Sequence, residues 1–199
     1  MLPVVSATDR LRDALASSDE ATLARWAATG PDGIDVLRRE LSGPPSVEPS
    51  REGVHPRDVL DNLTAAIAAI AEAEPDAYLT AFAGEEWRSN GLVLVGLGRI
   101  DDPEATRRLA AGARAGDVNA RIDAAMGLGR RPDPVATAAL VRLLDDPDYL
   151  VRYHALRSLA AIGDASALVA LDRGFWSTPI EADLARAARD AIERRSAEG

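Results

Sequence analysis

The chain has 199 residues, no cysteine, a formal net charge of −9 and a sequence pI of about 4.8. Those facts exclude a disulfide frame and a thiolate metal site, and they disfavour a phosphate-backbone partner. Hydrophobic residues make up 47% but alanine dominates them and aromatics are only 4%, a composition suited to closely packed helices rather than to a thick sheet-based core.

In chain order, residues 1–41 read as an N-terminal helical segment of three short helices. Ser17 and Glu20 form a capping box there, three residues apart. Leu23 and Trp26 are expected inside, and Gly30-Pro31 and Gly33 are expected to break the chain before "IDVLRREL". No basic-then-apolar leader opens the sequence, and no stretch approaches the ~18 apolar residues of a membrane span, so a cytoplasmic chain without a membrane partner is expected. Residues 42–56 hold four prolines and two glycines and read as a flexible loop or linker. Residues 57–85 read as a degenerate helix pair: Val59, Leu63, Ile67 and Ile70 make one helical stripe, Pro75 separates it from a second helix, and Tyr78, Leu79 and Phe82 face inward.

Residues 86–176 carry an internal repeat. Gly96-Leu97-Gly98-Arg99 returns as Gly127-Leu128-Gly129-Arg130, 31 residues on, and a further 31 lands on Ser158-Leu159-Ala160-Ala161. Leu97, Leu128 and Leu159 share a column, as do Asp102, Asp133 and Asp164; Ala105, Ala136 and Ala167; and Leu109, Leu140 and Leu171. Glu86, Asp117 and Asp148 form an acidic column, and Arg121 matches Arg152 with Asn90 in the same slot. Each unit reads as two helices. Val151, Ala155, Leu159 and Ile162 lie on one helical face, Asp148 is placed to cap that helix with Arg152 in i,i+4 reach, and Gly163 is expected to end it in the left-handed conformation. Asp164 then caps the next helix. A Gly-x-Gly that recurs at a fixed interval, with no preceding strand and no third glycine, does not read as a phosphate loop; Gly98, Gly129 and Ala160 are expected to let neighbouring helices approach closely. Residues 177–199 read as a C-terminal capping helix begun by Ser177 or Thr178, with Leu184, Ala188 and Ile192 on its apolar side and Phe175 and Trp176 anchoring it.

This pattern, clearest in "DDPDYLVRYHALRSLAAIGDASALVAL", resembles the HEAT-repeat family, particularly short bacterial HEAT-like repeats of the lyase type. The resemblance covers about residues 86–175. It implies an all-α, right-handed α–α superhelix of stacked antiparallel helix pairs, a HEAT-like solenoid whose concave face is lined by the second helix of each unit. It also implies that Arg121 and Arg152 form a ladder bonding acidic or carbonyl groups of adjacent repeats.

Chemistry is sparse. His55 and His154 are the two histidines, and no His-Glu pair of the kind repeated in HEAT-like di-iron hydroxylases is present. Acidic pairs such as Asp101-Asp102 and Asp145-Asp146 fall at turns, where carboxylates cap helices. No catalytic residue, metal site or cofactor is assigned. The positions that the packing pattern leaves free on the groove helices give a stripe of Val95, Ile122, Met126, Tyr153 and His154 edged by Arg99, Arg130 and Arg157. Apolar area beside arginines suits a protein or peptide partner, while packing of Val95, Ile122 and Met126 against the next helix remains open as an alternative. Trp87 and Tyr149 share another column and are expected to close seams between repeats. The expected function is a non-catalytic adaptor or scaffold binding a partner on the concave face, with an acidic inhibitor or immunity-type role among the options. An enzyme-accessory or lyase-like activity on a bound small molecule or modified protein is the competing reading.

Overall fold

A computed structural model describes residues 31–42 and 56–198. The described residues form ten α-helices, and the chain divides into two compact units, Met1–Gly84 and Glu85–Gly199. The Ser17–Glu20 capping box, Leu23, Trp26, most of the proline-rich stretch with His55, and the side chain of Val59 lie outside the described residues.

The first unit contains α1 (Pro31–Leu41), α2 (Pro56–Ala73) and α3 (Pro75–Ala81), packed on one another. Pro31 and Gly33 do not break the chain, as expected, but lie in the first turn of α1; proline is tolerated there because the opening N–H groups have no helical acceptor. Ile34, Val36 and Leu37 of α1 are buried, as are Ile67 and Ile70 of α2 and Tyr78 and Phe82 near α3. The Tyr78 and Phe82 rings lie 4.6 Å apart, tilted, and burial pushes the Tyr78 hydroxyl pKa up.

The second unit opens with a 3-10 turn (Glu85–Trp87) and continues through α4 (Gly91–Leu97), α5 (Pro103–Gly112), α6 (Val118–Leu128), α7 (Pro134–Leu143) and α8 (Tyr149–Ile162). A second 3-10 turn (Ala165–Ala167), α9 (Leu168–Arg173) and α10 (Pro179–Glu198) complete it. Successive helices from α4 to α8 pack on one another, α9 packs on α10, and alternate helices stack in two layers: α4, α6, α8 and α10 in one, α5 and α7 with the Ala165–Ala167 turn in the other. This is an all-α array of sequential helix pairs. The 31-residue columns are its interior. Leu97, Leu128, Leu159, Ala105, Ala136, Ala167, Leu109, Leu140 and Leu171 are all buried. Asp102, Asp133 and Asp164 each accept a backbone N–H two residues on, at 2.6, 2.6 and 2.8 Å, so the acidic column is a column of N-caps.

Two devices set the distance between stacked helices. At the C-terminal ends, a methyl group at Gly98 would lie 2.9 Å from the Cα of Gly127, and one at Gly129 would lie 3.0 Å from the Cα of Ser158. The Ser158 hydroxyl, buried in this contact, donates to the Ala125 carbonyl at 2.9 Å. Small residues therefore bring α4, α6 and α8 together backbone to backbone. At the N-terminal ends stands the arginine ladder. Arg121 of α6 donates to both carboxylate oxygens of Asp146 at 2.7 and 3.0 Å, and Arg152 of α8 donates to Glu181 of α10 at 2.7 Å. Each also donates to two carbonyls of its own preceding turn. Arg152 thus turns away from Asp148, whose carboxylate is taken up capping Leu150 and Val151.

Three local expectations are corrected. Asn90 is not a ladder position but the N-cap of α4, accepting from the Val93 N–H at 3.1 Å; α4 starts one turn later than its counterparts, so Glu86 caps nothing there and lies in the 3-10 turn. Gly163 has φ −57°, an ordinary value. Its small size matters because a side chain would meet the Leu159 carbonyl and Ile192. Phe175 anchors nothing, being 91% exposed, whereas Trp176 is half-buried against Gly174.

Helix α10 packs on α8 through Glu181, Ala185, Ala188 and Ile192, at spacings of 4, 3 and 4. Thr178 and Glu181 form a reciprocal capping box. Burial alone would push the Glu181 carboxyl up, but hydrogen bonds from Arg152 and Thr178 outweigh it and hold the pKa below its ordinary value. A carboxyl so depressed contributes stability above the ordinary carboxylate range that is lost as pH falls through the folded-state value. Removing its partner would leave a fully buried, unpaired charge. Arg152→Ala is therefore expected to cost about 3–5 kcal/mol near pH 7, with the gap from wild type narrowing below about pH 4 as Glu181 takes a proton. Thermal melts at the two pH values check this; a gap that is small or independent of pH would contradict it.

Candidate partner-binding face

The layer formed by α4, α6 and α8 turns one side inward and leaves the other open. Positions on the open side follow from helical spacing: Asn119, Ile122, Asp123 and Met126 on α6 correspond, 31 residues on, to Leu150, Tyr153, His154 and Arg157 on α8. Val95, Ile122, Tyr153 and His154 are half-buried there, while Met126 (47% exposed), Arg99, Arg130 and Arg157 are exposed.

Helix α8 supplies the most elaborate part. The Tyr149 and Tyr153 rings lie 6.1 Å apart, His154 meets Tyr153 edge-on at 5.2 Å, and the Arg157 guanidinium lies 5.8 Å over the Tyr153 ring, within cation–π range. Burial first, and the Arg157 charge second, lower the His154 pKa, so His154 is neutral at physiological pH. Tyr149 is half-buried and belongs to this cluster, and Trp87 is buried. The signal for Tyr149 was its place four residues before Tyr153, the spacing at which side chains on one helix meet. Leu150 (49% exposed) adds apolar surface on the open side of α8; nothing in the repeat columns marked it, because solvent-facing positions carry no periodic constraint.

The three arginines do not form one edge. Arg99 and Arg130 lie just past the ends of α4 and α6, where those helices stop at Leu97 and Leu128, while Arg157 lies within α8, which runs to Ile162. Arg157 shares its column with Val95 and Met126, and Arg130 shares its column with Ala161.

Asp123 is the one acidic residue among these open-side positions of α4, α6 and α8. Its half-buried carboxylate packs against Gly91, where a side chain would collide with it. Burial, then the neighbouring Asp117 charge, raise its pKa to about 6. The folded state thus holds this proton to higher pH than the unfolded chain does, and the corresponding stability is present below the unfolded pKa and lost as pH rises through about 6. Asp123→Asn is expected to raise the melting temperature relative to wild type near pH 7 and to have little effect near pH 4, as checked by paired melts; a larger gain at the lower pH would contradict the assignment.

Among the described residues no group of three or more His, Asp or Glu side chains is arranged to hold a metal ion, and no helix is long and apolar enough to cross a membrane. Stacked helix pairs with one open, mixed apolar and arginine-bearing side define the class of α-helical repeat arrays. Residues 106–193 match the family model described as HEAT repeats. A crystal structure of an engineered protein overlays with a TM-score of 0.44 at 19% sequence identity, covering 95% of this chain and 97% of that one. No curated protein matches the chain.

Proposed function

We propose that the protein is a non-catalytic adaptor or scaffold that binds another protein on the open side of α4, α6 and α8, the side expected to be concave. The observation that carries this reading is the Tyr149–Tyr153–His154–Arg157 cluster, set beside exposed Met126 and half-buried Ile122. Tyrosine, methionine and arginine are the side chains enriched at protein interfaces, and a rigid aromatic beside an arginine is the usual make-up of an energetic anchor. HEAT repeats are in general protein-interaction scaffolds, which agrees.

The net charge of −9 favours a second reading, an acidic inhibitor or immunity-type protein steered onto a basic partner. Such a partner would have to engage another surface, since this one gathers arginines.

The test is affinity capture from the native host with mass spectrometry, comparing wild type with Tyr153→Ala/Arg157→Ala. The double variant is expected to lose the captured protein while its helicity and melting temperature stay unchanged, because Arg157 is exposed and Tyr153 only half-buried. Undiminished capture would remove this face from the account.

A further inference from the structure

The open-side helical positions of α4, α6 and α8 hold one arginine, Arg157, and one carboxylate, Asp123, and two further arginines, Arg99 and Arg130, follow just past the ends of α4 and α6, in a chain with 32 acidic residues and a net charge of −9. Several other arginines in this unit pair with acids. Arg107 and Arg108 bond Glu104, Arg121 bonds Asp146, Arg152 bonds Glu181, Arg186 bonds Asp183, and Arg189 bonds Asp172 and Glu193. Arg114, Arg142, Arg173 and Arg194, like Arg130 and Arg157, form no ion pair with a described residue. Arg157 is instead held over the Tyr153 ring. At 5.8 Å the guanidinium lies within cation–π range of that ring, its N–H groups have no acid partner, and a guanidinium N–H fork matches a carboxylate in bidentate fashion. Met126 shares the Arg157 column on the adjacent helix, and Arg130 follows one turn beyond Met126, so two unpaired guanidinium groups flank an exposed apolar side chain.

We propose that this face takes an acidic segment of the partner protein, with a Glu or Asp carboxylate held by Arg157 and Arg130 and an adjoining apolar side chain packed on Met126 and Tyr153. The inference rests on the adaptor reading above and adds the chemistry of the bound segment. A phosphate backbone would offer the same two arginines negative charge, but the overall charge of −9 repels a long polyanion, whereas a short peptide meets only the local field.

The probe is a library of random dodecapeptides displayed on phage and selected on the full-length protein, followed by fluorescence anisotropy with the enriched peptides and with a single-stranded oligonucleotide of the same length. Enriched peptides are expected to carry Asp or Glu beside an apolar residue. Their affinity should fall about tenfold or more in Arg157→Glu and stay within about twofold in Arg114→Glu, which makes the same charge change at an exposed arginine between α5 and α6. Equal losses in the two variants would reduce the effect to net charge and overturn the proposal. Basic or uncharged peptides whose binding still requires Tyr153 would overturn it while leaving the adaptor reading intact. Tighter binding of the oligonucleotide would overturn it too. No enrichment, or enriched peptides insensitive to both Tyr153→Ala and Arg157→Glu, would remove the inference and the adaptor reading together.

Discussion

The second unit depends on how closely its stacked helices can lie. A helix pair this poor in aromatics buries little per residue, and what it buries is mostly alanine and leucine, so the layers must come nearly into backbone contact to exclude water. Gly98 against Gly127 and Gly129 against Ser158 make that approach possible at the C-terminal ends. The ladder from Arg121 to Asp146 and from Arg152 to Glu181 closes the N-terminal ends. The α4–α6 pair carries the C-terminal contact without a ladder arginine, while α6, pinned at both ends, has one register against α8. That register places Met126 in line with Arg157 and Ile122 in line with Tyr153, so the surface proposed to bind a partner is a direct product of the packing.

The ladder continues from the repeats onto α10. Asp146 belongs to a turn between repeat helices, but its successor Glu181 lies in the first turn of α10, reached 29 residues after Arg152 rather than 25. The Thr178–Glu181 capping box holds the carboxylate where the next repeat would have supplied one. The side of α10 away from α8 carries Arg186, Arg189 and Glu193, paired with acids and with each other. At the far C-terminal edge Arg195 donates to the carbonyls of Ala160 and Gly163 at 2.9 and 2.8 Å, satisfying groups that a helix end leaves open.

Much of this was legible in the sequence because buried positions repeat. Leu97, Leu128 and Leu159 could be aligned by counting, and so could the capping aspartates. What escaped falls where a repeat departs from its neighbours or where no packing constraint operates. Asn90 sat in the ladder column by arithmetic, yet α4 is a turn shorter, and the same side chain serves as its cap. Gly163 suggested a backbone conformation, but its reason is the space taken by Ile192. Phe175 suggested an anchor because large apolar side chains usually are, and its loop carries it outward. The binding face is the least legible part: its side chains were found by subtracting the packed positions, which identifies Tyr153 and Arg157 but not their stacking, nor the absence of acids to neutralise Arg130 and Arg157.

The central claim is that close contact at small residues sets the spacing of the layer, and it is tested most directly by a double-mutant cycle between Gly129 and Ser158. Gly129→Ala should destabilise strongly in the wild-type background and much less when Ser158→Gly has opened the facing helix. The expected coupling energy is about 1 kcal/mol or more in chemical denaturation. Additive effects within about 0.5 kcal/mol would show that the two helices do not meet there, and the account of the array would fail with them.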